Sequence, residues 1–107
     1  MSPAWIALIG AGLLEVVWAV GLKYTEGFTR FVPSVITVTA IVASLYLLAL
    51  AQRALPMAVA YAVWMGIGAL GLALVGTLWL KTPLSAAQWF FFALLLISVA
   101  GLKFATP

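Results

Sequence analysis

The sequence predicts an all-α membrane protein built from four transmembrane helices, and three observations carry that expectation. Of its 107 residues, 67% are hydrophobic and only 7% are charged, whereas ordinary soluble domains carry roughly 25% charged residues. A soluble domain of this size cannot bury so much apolar surface. Four apolar runs follow one another, each near the ~20 residues that a helix needs to cross the hydrocarbon core. The connections are short and contain turn-forming residues. Two-residue alternation is missing, and so few residues cannot close a membrane barrel. The expected architecture is a single domain with helices over about 4–22, 31–52, 57–80 and 84–103.

The first run, Ala4–Leu22, is broken only by Glu15. It begins where a signal peptide would, but no Lys or Arg precedes it and a carboxylate sits in its middle, so it is expected to be a retained span. Gly12, Glu15, Trp18, Ala19 and Leu22 recur at spacings of three and four and share a helical face. Trp18 lies mid-span, away from the interfacial belt, and its indole N–H is one turn from the carboxylate. Trp5, near the segment end, reads as an interfacial anchor. The stretch KYTEGFTR, with Gly27, then turns the chain.

The second run, Phe31–Gln52, is nearly featureless apart from Thr37, Thr39, Ser44 and Tyr46. A serine in a membrane helix usually bonds back to its own backbone or lets helices pack closely, so the residues alone leave the role of Ser44 open. RALP leads into the third run, Met57–Leu80, its proline suiting a helix start. Here Tyr61, Trp64 and Gly68 share one face, while Ala58, Ala62, Gly66, Ala69 and Ala73 form a small-residue stripe on the adjoining one. The stripe needs no purpose beyond close helix approach. Aromatic faces attract a cation, and a nearby carboxylate balances its charge. Gly66 and Gly68 would permit a kink in a moving helix, or serve packing alone.

The fourth run, Leu84–Leu102, follows KTP, whose proline again suits a helix start. It consists of large residues with Ala93 and Ala100 one heptad apart, a pattern suited to packing or dimerisation. Lys103 can snorkel from its end, and Trp89 reads as another interfacial anchor.

Charge is sparse and spread over segment ends. Lys23, Arg30 and Lys81 fall on one side, with Arg53 and Lys103 on the side that holds both termini. So slight a bias does not fix orientation by the positive-inside rule and is compatible with insertion in both senses. Two copies inserted oppositely would supply the inverted repeat that many transporters use, and no repeat is visible within the chain. The net charge of +3 forms no nucleic-acid patch. Cysteine and histidine are absent, which leaves zinc without its usual ligands and thiol chemistry without a residue. No metal, cofactor or covalent chemistry is expected.

Glu15 therefore needs an explanation, because a carboxylate in hydrocarbon costs several kcal/mol unless something satisfies it. Every basic residue lies near a helix end, so no structural counter-ion is evident within the chain. A protonated carboxyl bonding between helices is one role. A site that alternates between a proton and a cationic substrate is the other, and it has a direct mechanism: each ligand displaces the other, so a proton gradient drives cation export. Two Glu15 residues meeting in one pocket would titrate as a pair.

The stretches EVVWAVGLKYTEGFTR, PSVITV and LPMAVAYAVWMGIGALG resemble the small multidrug resistance family of bacterial transporters, in matching order over most of the chain. The resemblance implies an antiparallel, dual-topology homodimer in the inner membrane, with one shared site and proton-coupled antiport. Trp18, where the quaternary-ammonium exporters typically have glycine, resembles the guanidinium-exporter branch, as do Ser44 and the Gly101-Leu102-Lys103 ending. By that resemblance Glu15 binds proton or substrate, Trp18, Ser44 and Trp64 orient its carboxylate, and Tyr61 lines the pocket and switches partners. Guanidinium suits this chemistry, being planar, charged at physiological pH and able to fork onto a carboxylate. Ser98 departs from the family glycine expected at the subunit seam, which leaves a paralogue heterodimer open. The competing readings are a broad quaternary-ammonium exporter, a non-transporting assembly subunit and a passive cation channel.

Overall fold

Helices form where the sequence supplies uninterrupted apolar residues, because a backbone surrounded by hydrocarbon must satisfy its own polar groups. The computed structural model, which describes residues 2–106, has α1 (Pro3–Tyr24), α2 (Phe31–Gln52), α3 (Met57–Leu78) and α4 (Ala86–Ala105). At ~1.5 Å per residue each is about 30 Å long, the thickness of the hydrocarbon core. All four are apolar enough to cross a membrane.

The helix ends have identifiable causes. Ser2 caps α1, its hydroxyl accepting from the Trp5 amide at 3.4 Å, and Pro3 follows in the first turn. At its other end α1 runs on past Leu22, so that Lys23 lies in the last turn, where the helix dipole favours a cation. The next turn is built on Thr25. Its hydroxyl donates to the Leu22 carbonyl at 2.9 Å and accepts from the Phe28 amide at 3.2 Å, while its own carbonyl accepts from Thr29 and Arg30. Glu26, Gly27 and Phe28 all adopt positive φ, at 49°, 74° and 65°. Only glycine does so without strain, which places Gly27 at the centre of the turn.

Several helix ends differ from the sequence expectation by one or two residues. Helix α3 stops at Leu78 rather than residue 80, and the Thr82 amide turns back to the Gly76 carbonyl at 2.8 Å with Lys81 at φ 55°. Helix α4 starts at Ala86 rather than residue 84, because Ser85 and Gln88 form a reciprocal capping box. Pro56 directly precedes α3, as expected of a start signal, whereas Pro83 lies in the extended connection.

Helix α1 packs along both α2 and α3, while α4 runs against α3 and reaches α1 only through side chains near its C-terminal end. The core is lopsided. Trp5, Leu8 and Ala11 from α1, Leu48 and Ala51 from α2, Leu55, and Ala60, Val63 and Trp64 from α3 form one cluster toward the end that holds both termini. Trp5 is 6% exposed and lies beneath the Lys103 ammonium, 5.2 Å from its ring centroid. It is a core residue and a cation–π partner, which corrects its reading as an anchor, because the C-terminal turn of α4 folds over it.

Candidate functional site

Glu15 projects from the middle of α1 toward α3, half-buried, at the edge of the core cluster. Its approach to α3 is made possible by Gly68, since any Cβ at that position would overlap the carboxylate. The same interlocking is repeated on either side. A Cβ on Gly12 would come within 2.6 Å of Ile67, and one on Gly71 would overlap Val16. The α1–α3 seam is thus a run of reciprocal glycine contacts with Glu15 at its centre. Close approach of this kind is what small residues provide between membrane helices.

Ser44 and Trp64 are brought together, but on the carbonyl of Ala11 rather than on the carboxylate. The Ser44 hydroxyl donates to the Ala11 carbonyl at 2.8 Å and accepts from the Trp64 indole N–H at 3.1 Å. Ser44 is fully buried and Trp64 is 6% exposed. The hydroxyls of Thr39 and Thr77 bond to the carbonyl four residues earlier in their own helices, at 2.8 Å each, which is the ordinary fate of such groups. Ser44 departs from it by crossing to α1. The carbonyl it reaches belongs to the residue one helical turn before Glu15. The Trp64–Ser44–Ala11 chain thereby ties α3, α2 and α1 together just beside the carboxylate.

Trp18 stands one turn beyond Glu15 and does not bond to it. Glu15 Oε1 and Trp18 Nε1 are both buried, and neither has a hydrogen-bond partner among the described residues. They are an acceptor and a donor left unmatched on one face of α1. Buried polar atoms are seldom left so, and each such exception calls for an explanation. Tyr61 lies against Trp64 with ring centroids 5.4 Å apart and the rings tilted by 57°, yet is 49% exposed, so it faces outward from the protomer.

Gly66 and Gly68 lie within an unbroken helix, and each has a packing neighbour, Val99 of α4 for Gly66 and Glu15 for Gly68. Ala93, Ser98 and Ala100 are all exposed along α4, which has no fully buried residue. Sequence reasoning did not anticipate the Ala11 carbonyl or the role of Gly68 as a berth for the carboxylate. The signal for Gly68 was its place on the same face as Tyr61 and Trp64. No cluster of acidic, histidine or cysteine side chains suited to a metal occurs among the described residues.

A family model for the Small Multidrug Resistance protein matches residues 3–95. A guanidinium exporter of Escherichia coli O6:H1 (strain CFT073) is 54% identical over 103 residues, covering 96% of this chain and 98% of the relative. A guanidinium exporter of Escherichia coli (strain K12) is 53% identical, and one of Citrobacter freundii 52%, each with the same coverage. With four membrane-length helices, a lone intramembrane carboxylate and similarity along nearly its whole length, the chain belongs to the small multidrug resistance family and is a multi-pass membrane transporter.

Proposed function

We propose that the protein exports guanidinium and small guanidinyl cations across the bacterial inner membrane in exchange for protons, as an antiparallel homodimer with dual topology. The observation that carries this reading is the buried, unpartnered Glu15 oxygen inside a membrane-length helix. Such an atom accepts either a proton or the N–H of a cation, and both restore the hydrogen bond that burial removes. The guanidinium exporters of more than half-identical sequence support the choice of cation.

Guanidinium presents N–H donors in a planar fork that fits a carboxylate, so Glu15 holds it in a charge-assisted pair. Protonation removes the negative charge and with it the affinity. Because the two ligands exclude one another, proton entry from one side releases cation to that side. Two subunits of opposite orientation give the alternating access that a single four-helix chain lacks, and their Glu15 carboxylates share the site. The Trp64–Ser44 pair holds the turn of α1 that carries Glu15, and Trp18 offers its free N–H one turn away. Tyr61, exposed on the protomer, lines the shared cavity and changes partners as access alternates.

Reconstituted vesicles in which guanidinium movement and lumenal pH are followed together test this. Guanidinium should drive proton movement in the opposite sense, with weak competition from tetraalkylammonium ions, and Glu15→Gln should abolish both fluxes. Unimpaired coupled transport by Glu15→Gln contradicts the proposal, and preferred transport of tetraalkylammonium contradicts the substrate.

A further inference from the structure

At the end of the molecule opposite the termini, α1 and α2 bound an open groove of about 350 Å³. Gly21 and Tyr24 line it from α1, and Val32, Ile36 and Thr37 from α2, with Arg30 just before the first turn of α2. Two helical turns separate Arg30 from Thr37, so the lining passes from cationic to apolar over about 10 Å. Thr37 adds no polarity, since its hydroxyl is buried and pressed against Gly21. Val32 and Ile36 are 63% and 56% exposed, which leaves an apolar wall uncovered within the protomer.

Arg30 lies at the helix end, the level at which a span of this length emerges among lipid headgroups. Among the residues that line the groove Arg30 is the charged one, so the lining is cationic. A guanidinium forks onto phosphate oxygens, whereas a cationic transport substrate is repelled here.

We infer that this groove binds one anionic glycerophospholipid, its phosphate on Arg30 and an acyl chain along Val32 and Ile36. The site is separate from Glu15. In an antiparallel pair the two grooves serve opposite leaflets.

Native mass spectrometry of the full chain in mild detergent, titrated with phosphatidylglycerol, reads the inference directly. Wild type should retain phosphatidylglycerol in preference to phosphatidylcholine. Arg30→Gln should lower retention about tenfold, the size of one lost charge-assisted contact. Arg30→Lys should recover part of it, and Ile36→Trp, which fills the groove with Arg30 intact, should also lower it. Arg53→Gln removes a cation from the opposite end and should change nothing. Millimolar inorganic phosphate should not displace the lipid, since it lacks the chain that the apolar wall holds. Equal retention by wild type and Arg30→Gln, equal loss in Arg53→Gln, or displacement by phosphate overturns the inference. Glu15→Gln should keep the lipid while losing transport, so failure of either reading leaves the other standing.

Discussion

Gly68 has no side chain, and for that reason the Glu15 carboxylate can lie against α3. Gly68→Ala forces the two apart, and overpacking of this kind costs about 1–3 kcal/mol. Guanidinium binding should weaken tenfold or more while the protein stays folded, as isothermal titration would read. Ser44→Ala should act through stability as well, because it strands the Trp64 indole N–H in the core at a cost of about 1–3 kcal/mol. The pH dependence has a definite sign. Under the proposed exchange a proton and guanidinium compete for one carboxylate, so apparent affinity should rise with pH, by at most about tenfold per unit for one proton displaced, and level off once the acid is ionised. Glu15, Trp18, Tyr61 and Trp64 stand out in the sequence as a charge and polar-tipped aromatics in an apolar chain, whereas Ser44 is singled out among several hydroxyls only by the family resemblance. Which of them touch could not be read from it. That Ser44 grips Ala11 depends on how α2 rotates against α1, and a sequence with so little polarity leaves that rotation unmarked.

At the scale of elements, the spans were legible because length and hydropathy alone define them, while their ends were legible only where a cap was recognised. The Ser85–Gln88 box, which shifts the start of α4, is written in the sequence as Ser-Ala-Ala-Gln beside a proline that draws attention from it. Thr25 was missed for a similar reason: its hydroxyl closes the α1–α2 turn in a stretch that advertises its glycine. Thr25→Val keeps the shape and removes both side-chain hydrogen bonds, so it should destabilise the turn by about 1–2 kcal/mol. Faster amide exchange at Phe28, with core amides of α1 unchanged, is the expected readout.

For the whole molecule, the lopsided core leaves α4 packed mainly on α3, with Ala93 and Ala100 exposed on one flank and Ser98 exposed on another within one chain. In the proposed homodimer a second copy would cover α4, an apolar helix with nothing fully buried in one chain. Ser98→Leu should shift the protein toward monomer in detergent without unfolding the protomer, measurable by size exclusion with light scattering. The proposed dual topology carries a separate expectation. The chain has no native cysteine, so a single Thr29→Cys in the exposed α1–α2 turn can be labelled from outside sealed vesicles. About half should react with an impermeant thiol reagent and the rest only after permeabilisation.

The most direct measurement is calorimetry of guanidinium binding in buffers of different ionisation enthalpy, across the pH range in which Glu15 titrates. Protons should leave the protein as guanidinium binds, and the Glu15→Gln protein should release none. Binding of guanidinium to the wild-type protein without proton release anywhere in that range would contradict exchange at a single carboxylate.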